Sequence, residues 1–466
     1  MESWTEKQQS SLILLKTNFL RLLNWTMLDR AALFSVLGRG WGICVGPVIA
    51  FLIVKNFTPE IQGYHYTFLT ILAFQYAVDL GFGTVVVQFA SHEWSELHLD
   101  NNGHILGNPD ALSRLVSIAN ISMKWYLIAS LIVTFGLGFG GYLFFQNSTT
   151  IAIDWKFPWF VLCILTGINF NLIPVWGLLE GCNQVRNVYT FRFVQSVIVS
   201  LFICGAILFG ANLWTTSVSF GTSLILSFIF FRKKYWYFLN TLLLGRPSGA
   251  HINWRVHMMP MQWRFAISAF TGLFMTSIFT PVMFKYQGAI IAGKMGMTWS
   301  LIGILGIASA FIIPKTPQFG MLVAQKKYIE LDQLFWKLTK IVFLSTSLLG
   351  LAIYISILML NIYNISIATR LLLPLPTGLF LIAQVIMMSS MPASMYMRAH
   401  KKEPIMPLHV FGAVLNLLLV WLFGKYYSAV GMALAYLLVM LIVIPLLFLI
   451  WYRCRNKWHR ENLAIP

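Results

Sequence analysis

Two ionisable residues interrupt stretches that are otherwise suited to hydrocarbon. Arg39 lies inside AALFSVLGRGWGICVGPVIAFLIV (residues 31 to 54), and Asp79 lies inside TFLTILAFQYAVDLGFGTVVVQFA (67 to 90). A charge at the centre of a bilayer costs ~2.5–3.5 kcal/mol on insertion scales, so it pairs or faces water. Counted from the ends of their runs, the two sit at depths compatible to within about a turn. They form either a static ion pair stitching two spans together or a polar site on a pathway through the membrane. Lys294 lies a few residues inside the outer end of another apolar run, where it either snorkels outward or faces a cavity. Glu180, at the rim of a fourth run in GLLEGCNQVRN, stands near Arg186. That pair reads as an interfacial ion pair or as a gate contact between moving halves.

Other candidate chemistry is weaker. His92, His98 and His104 stand among acids in SHEWSELHLDNNGHILGNPDALSRL, but the spacing fits no two-histidine helix face and Asn-Asn-Gly and Asn-Pro mark turns. A solvated loop, not a metal site, is expected. The glycines of TFGLGFGGYLFF follow no strand and precede no Lys-Ser/Thr, so close helix packing is expected in place of phosphate binding. The five cysteines are scattered, which implies neither disulfides nor a metal.

The elements that must position these residues follow from composition. Hydrophobic residues make up 58% of the 466 and charged residues 10%, with mean hydropathy +0.73, which excludes an ordinary soluble domain. Runs of about 20 apolar residues mark spans. Twelve are expected, near 31–54, 66–90, 122–146, 157–179, 189–210, 213–231, 264–286, 289–313, 339–361, 371–396, 405–424 and 428–452. Of the 33 Lys and Arg, 26 then fall on one side and five on the other. By the positive-inside rule both termini are cytoplasmic. The net charge of +18 is therefore mostly a topology signal, and a nucleic-acid partner is not expected.

The expected organisation is an amphipathic, interfacial N-terminal segment (1–30), a first lobe of six spans (31–231), a basic linker (232–263), a second lobe of six (264–452) and a basic tail (453–466). The tryptophans and cations of the linker suit the headgroup layer and anionic lipid. The halves echo each other weakly. Pro47, then Gly63 and YHYTFLTIL, is answered by Pro281, then Gly296 and MTWSLIGIL. Internal symmetry of this kind places transport sites at the interface of the halves. Prolines inside several spans suit helices that bend or face water.

The stretch NFTPEIQGYHYTFLTILAFQYAVDLGFGTVVVQFAS, with its Thr-Pro-Glu turn, Gly-Tyr-x-Tyr and Asp-Leu-Gly, resembles the start of the polysaccharide (O-antigen-type) flippases of the multidrug/oligosaccharidyl-lipid/polysaccharide exporter superfamily. FIIPKTPQFGMLVAQKKYIELDQLFWK and LHVFGAVLNLLLVWLFGKYYSAVGMALAYLL are similar to later parts of the same pattern. The resemblance implies an all-α polytopic membrane protein with two pseudo-symmetric six-helix lobes around a central cavity, in a bacterial inner membrane. It also implies a cargo, a polyprenyl-diphosphate-linked oligosaccharide carried from the cytoplasmic to the periplasmic leaflet. Polysaccharide polymerase or assembly proteins would be partners beside the membrane lipids.

A diphosphate needs cations in a watery cleft to cross hydrocarbon. Arg39 is the first candidate contact, Lys294 the second and Arg264, at the mouth of span seven, the third. Asp79 would hold Arg39 at rest or bind a coupling H+ or Na+. No nucleotide-binding loop is present, so ATP is not expected to drive the cycle. Two rivals remain. An ion-coupled multidrug antiporter of the same superfamily is disfavoured by Arg39 in span one and by the lack of an acid in span seven. A polytopic glycan-assembly enzyme (polymerase, ligase or glycosyltransferase) is disfavoured because the short outward loops carry only Glu60 and Asp154, no carboxylate pair for acid/base work.

Overall fold

The computed structural model describes residues 30–100, 103–146, 153–400 and 404–463. The expected N-terminal amphipathic segment falls, except for Arg30, outside the described residues. The chain is almost wholly helical. α1 is Arg30–Asn56, and the second span is broken into α2 (Pro59–Leu72), α3 (Gln75–Asp79) and α4 (Phe82–Trp94). Next come α5 (Pro109–Phe145), α6 (Lys156–Phe170), α7 (Ile173–Gly181), α8 (Val185–Leu208), α9 (Trp214–Lys234) and the short α10 (Trp236–Leu244). The second half holds α11 (Met259–Thr276), α12 (Phe279–Gln287), α13 (Ala289–Ile302), α14 (Ser309–Ile312), α15 (Thr316–Ala324), α16 (Tyr328–Ile362), α17 (Pro374–Ser389), α18 (Met391–Ala399) and α19 (Met406–Leu463).

Among the described residues, nine helices are long and apolar enough to cross a membrane, and two bent pairs, at 47° and 44°, raise the number to eleven. The candidate span Met406–Arg460, at 55 residues, is far too long for one crossing. It reverses at Ser428 (φ 53), so that a Cβ on Gly412 would lie 3.0 Å from Val443 across the hairpin. Counting it twice gives twelve spans, so the start of α1 and the end of α19 lie at one end of the bundle. The opposite end is the far end of the bundle.

Local chemistry sets the breaks. Thr58 caps α2 by accepting the Ile61 N–H at 3.3 Å, with Pro59 in the first turn. Between α3 and α4 the chain passes through Leu80 (φ 52) and Gly81 (φ 67), a left-handed pair that no helix tolerates. Pro174, Pro374 and Pro392 sit in first turns, where proline costs no hydrogen bond, while Pro47 and Pro445 lie within helices.

The polar stretch after α4 is not a simple loop. It closes a small antiparallel hairpin, β1 (Leu97–Leu99) against β2 (Ile105–Gly107), with the His104 N–H bonded to Asp100 Oδ1 at 2.7 Å. Among the described residues no group of His, Cys, Asp and Glu is arranged to hold a metal. The basic segment after α9 packs back on the first lobe through Ile252 and Met258, buried in the core that also holds Phe82, Leu115 and Leu178.

Burial separates the two ends of the molecule. A core built on Tyr64, Phe68 and Trp159 of the first half is continuous with Phe279, Met283 and Phe284 of the second. Toward the termini the first lobe keeps its own core, so the lobes are fused most tightly at the far end.

Candidate functional site

The far-end fusion is a glycine contact. α2 and α13 approach so closely that a Cβ on Gly63 would overlap the Ala289 carbonyl, and one on Gly293 would lie 2.9 Å from the Gly63 nitrogen. Such small-residue approaches let helix backbones meet in a membrane. Polar clasps reinforce it. The Gln62 amide donates to the carbonyls of Gly293 (3.0 Å) and Arg370 (3.1 Å), and the Arg370 guanidinium donates to the Phe57 carbonyl at 2.7 Å. Partial burial pulls Arg370 below its usual pKa, with Glu60 pulling the other way.

Beneath this roof lies a cavity of about 600 Å³, within the size range of small-molecule sites. α1 gives it Arg39 and a Gly42–Gly46 strip, α2 gives His65 and Tyr66, and α9 gives Thr215, Thr216 and Ser219. The second lobe contributes Met297 and Ser300 from α13 and Ser309 from α14. Among the described lining residues, Arg39 is the one permanent charge, and no Asp or Glu is present. Its side chain is exposed, with Nη1 donating to Ser309 Oγ across the lobe interface at 3.3 Å. His65 is buried and shares a 3.1 Å hydrogen bond with Thr216, and Thr215 Oγ1 is buried with no partner among the described residues.

The proposed Arg39–Asp79 ion pair is absent among the described residues. Asp79 sits at the break of the second span, where its carboxylate accepts from the Gly81 and Gly83 N–H groups and from the Tyr126 hydroxyl on α5. It thus caps α4 and is satisfied inside the first lobe. α1 lies along α8 instead, fixed by Trp41 Nε1 donating to Ser200 Oγ at 2.8 Å. Sequence depth matched the two charges, but helix rotation and the break set them apart.

Glu180 does not pair with Arg186. It meets Arg192 at 2.8 Å, and that guanidinium also lies 5.5 Å from the Trp176 ring centroid. Helix α8 begins at Val185, so Arg192, two turns along it, reaches back to the end of α7 while Arg186 remains in the first turn. Lys294 is half-buried on α13, about one turn nearer the far end than the lining residue Met297, and does not itself line the cavity. Arg264 is exposed at the start of α11, 5.8 Å from the Trp263 ring, and is likewise outside the cavity. Its neighbour Phe265 fills the space over Gly81, a second inter-lobe contact. Of the three proposed cations, the structure brings only Arg39 to the cavity.

The hydroxyls at Thr215, Thr216, Ser219, Ser300 and Ser309 were not singled out from the sequence, because single Ser and Thr residues in a span normally bond their own helix. Gln62 and Arg370, which hold the roof, gave no signal beyond being polar near span ends.

The architecture is thus twelve spans in two lobes, with a largely apolar cavity between them that carries Arg39 and several hydroxyls. No family model matches the sequence, and no curated protein matches it. Solved structures do. A multidrug resistance transporter of the MATE family of the MOP superfamily, in an inward-facing conformation, aligns with TM-score 0.64 at 13% identity over 89% of this chain and 95% of its own. The lipid II flippase MurJ, in an inward closed conformation, aligns with TM-score 0.56 at 14% identity over 92% and 90%. A MOP superfamily transporter from Pyrococcus furiosus Vc1, described as having a binding pocket of reversed polarity, gives 0.56 at 12% over 92% and 96%. The chain therefore has the fold of the MOP superfamily transporters, all-α and two-lobed.

Proposed function

We propose that the protein is an alternating-access flippase that moves a polyprenyl-diphosphate-linked oligosaccharide from the leaflet at its terminal end to the far leaflet. The observation that carries the reading is Arg39, a permanent cation in a cavity whose described lining holds no carboxylate. A cleft of this kind lowers the cost of taking a diphosphate through the membrane and raises the cost for a cationic drug. The lobes would part at the glycine roof while the Arg39 side closes. A multidrug antiporter remains the second reading, supported by the MATE likeness at the fold level.

In this reading the protein resides in a bacterial inner membrane with both termini cytoplasmic, and hands its cargo to polymerase or assembly proteins. It makes and breaks no covalent bond and uses an H+ or Na+ gradient, not ATP. The test is deletion of the gene in its bacterial host, followed by measurement of lipid-linked repeat units in the two leaflets. Accumulation in the cytoplasmic leaflet supports the reading. Undisturbed surface glycan with no accumulation, in a strain lacking a second flippase, refutes it.

A further inference from the structure

A second cavity, of about 430 Å³, with polar groups set among apolar walls, lies within the first lobe and meets the Arg39 cavity at Ser219, which lines both. Its walls come from the broken part of the second span (Gln75, Tyr76), the end of α6 (Asn169), α8 (Arg192, Gln195) and α9 (Ser219, Ser223). The polar groups there are partly committed in a way that leaves acceptors over. Asn169 spends its amide N–H groups on the carbonyls of Leu165 (2.9 Å) and Phe220 (3.2 Å), and Gln195 spends its own on Ser223 and Ser227. Among the described residues their amide oxygens have no partner, and neither do the hydroxyls of Tyr76 and Ser219. The one cation, Arg192, is already neutralised by Glu180 at 2.8 Å.

We infer that this side cavity is a subsite for an uncharged sugar, which seats the first residues of the glycan while Arg39 holds the diphosphate next door. The inference rests on the flippase reading and deepens it. Amide oxygens, hydroxyls and the flanking rings of Tyr76 and Phe220 match the alternating hydroxyls and apolar faces of a pyranose. A uronic acid would find no uncommitted cation there, so its carboxylate would lose hydration without repayment.

The experiment measures binding of three probes to the full-length protein in nanodiscs: undecaprenyl diphosphate, the same lipid bearing N-acetylglucosamine, and the same lipid bearing glucuronic acid. The wild type is compared with Val199→Phe, which fills the side cavity from α8 and does not line the Arg39 cavity, with Tyr76→Ala, and with Val199→Thr as a near-isosteric control. The expected result is at least tenfold tighter binding of the N-acetylglucosamine lipid than of the sugar-free lipid. That increment should vanish in Val199→Phe, shrink in Tyr76→Ala and survive in Val199→Thr. Retained binding of the sugar-free lipid in each variant shows that the protein is folded.

An increment that is absent in the wild type, or that survives Val199→Phe, overturns the subsite but leaves the diphosphate reading standing. Equal gain from glucuronic acid overturns the preference for an uncharged sugar. Failure of the wild type to bind any of the three lipids overturns the flippase reading together with the subsite.

Discussion

Replacing Gly63 by alanine should open the far end of the molecule. The added Cβ would fall on the Ala289 carbonyl, a backbone atom held within α13, so no rotamer change on either side relieves the overlap. Only separation of α2 from α13 does, and that separation is the motion by which the roof would part. Overpacking of a tight contact costs about 1–3 kcal/mol. The cost falls only on the state in which the roof is shut. At 1.4 kcal/mol per factor of ten, the ratio of roof-open to roof-shut protein should rise roughly 5- to 150-fold. The assay is thiol labelling with a membrane-impermeant maleimide applied from the far side to Ser300→Cys, in a background where the exposed Cys44 is serine. Ser300 suits the purpose because it lines the cavity below the roof and its hydroxyl bonds the Gly296 carbonyl of its own helix. Gly272→Ala is the control, since a Cβ there meets nothing within 4 Å. Unchanged far-side labelling in a folded, normally abundant Gly63→Ala protein would refute the assignment of this contact as the far-end seal.

Three further outcomes are expected. Arg39→Ala should weaken binding of undecaprenyl diphosphate about 10- to 150-fold, from the loss of a charge-assisted hydrogen bond of ~1.5–3 kcal/mol, with protein abundance unchanged; titration in nanodiscs checks both. The charge-swapped Arg39→Asp, Asp79→Arg protein should not regain transport, because the two residues make no pair, and recovery in a flipping assay would refute the geometry of both. Asp332 on α16 accepts from Arg455 Nε (3.0 Å) and from the Tyr396 hydroxyl (3.0 Å), tying α18 and α19 to α16. Asp332→Ala should therefore destabilise the second lobe by ~1.5–3 kcal/mol, read as a lowered Tm in detergent, while Arg455→Ala in that background adds little.

Much of the architecture was legible without coordinates, because hydrocarbon imposes one demand on every span: about 20 apolar residues with their backbone bonded internally. The run lengths gave twelve crossings, including the pair that turns back on itself at Ser428 within Met406–Leu463. Arg39 stood out for the same reason, since a cation in such a run is costly unless it faces water, and it does line the cavity. Breaks were less legible. Asp-Leu-Gly reads as an apolar stretch with an acid in it, yet it forms the left-handed turn at which Asp79 caps α4.

What the sequence by itself determined is the set of buried segments and the presence of a charge that must be solvated, because both depend on transfer free energies that are local to a run. Which charge meets which partner was decided only by the tertiary structure. A rotation of a helix by a fraction of a turn, or one kink, redirects a side chain without changing its depth. So Asp79 answers to Tyr126, Glu180 to Arg192, and Arg39 is left facing the cavity with Ser309 beside it.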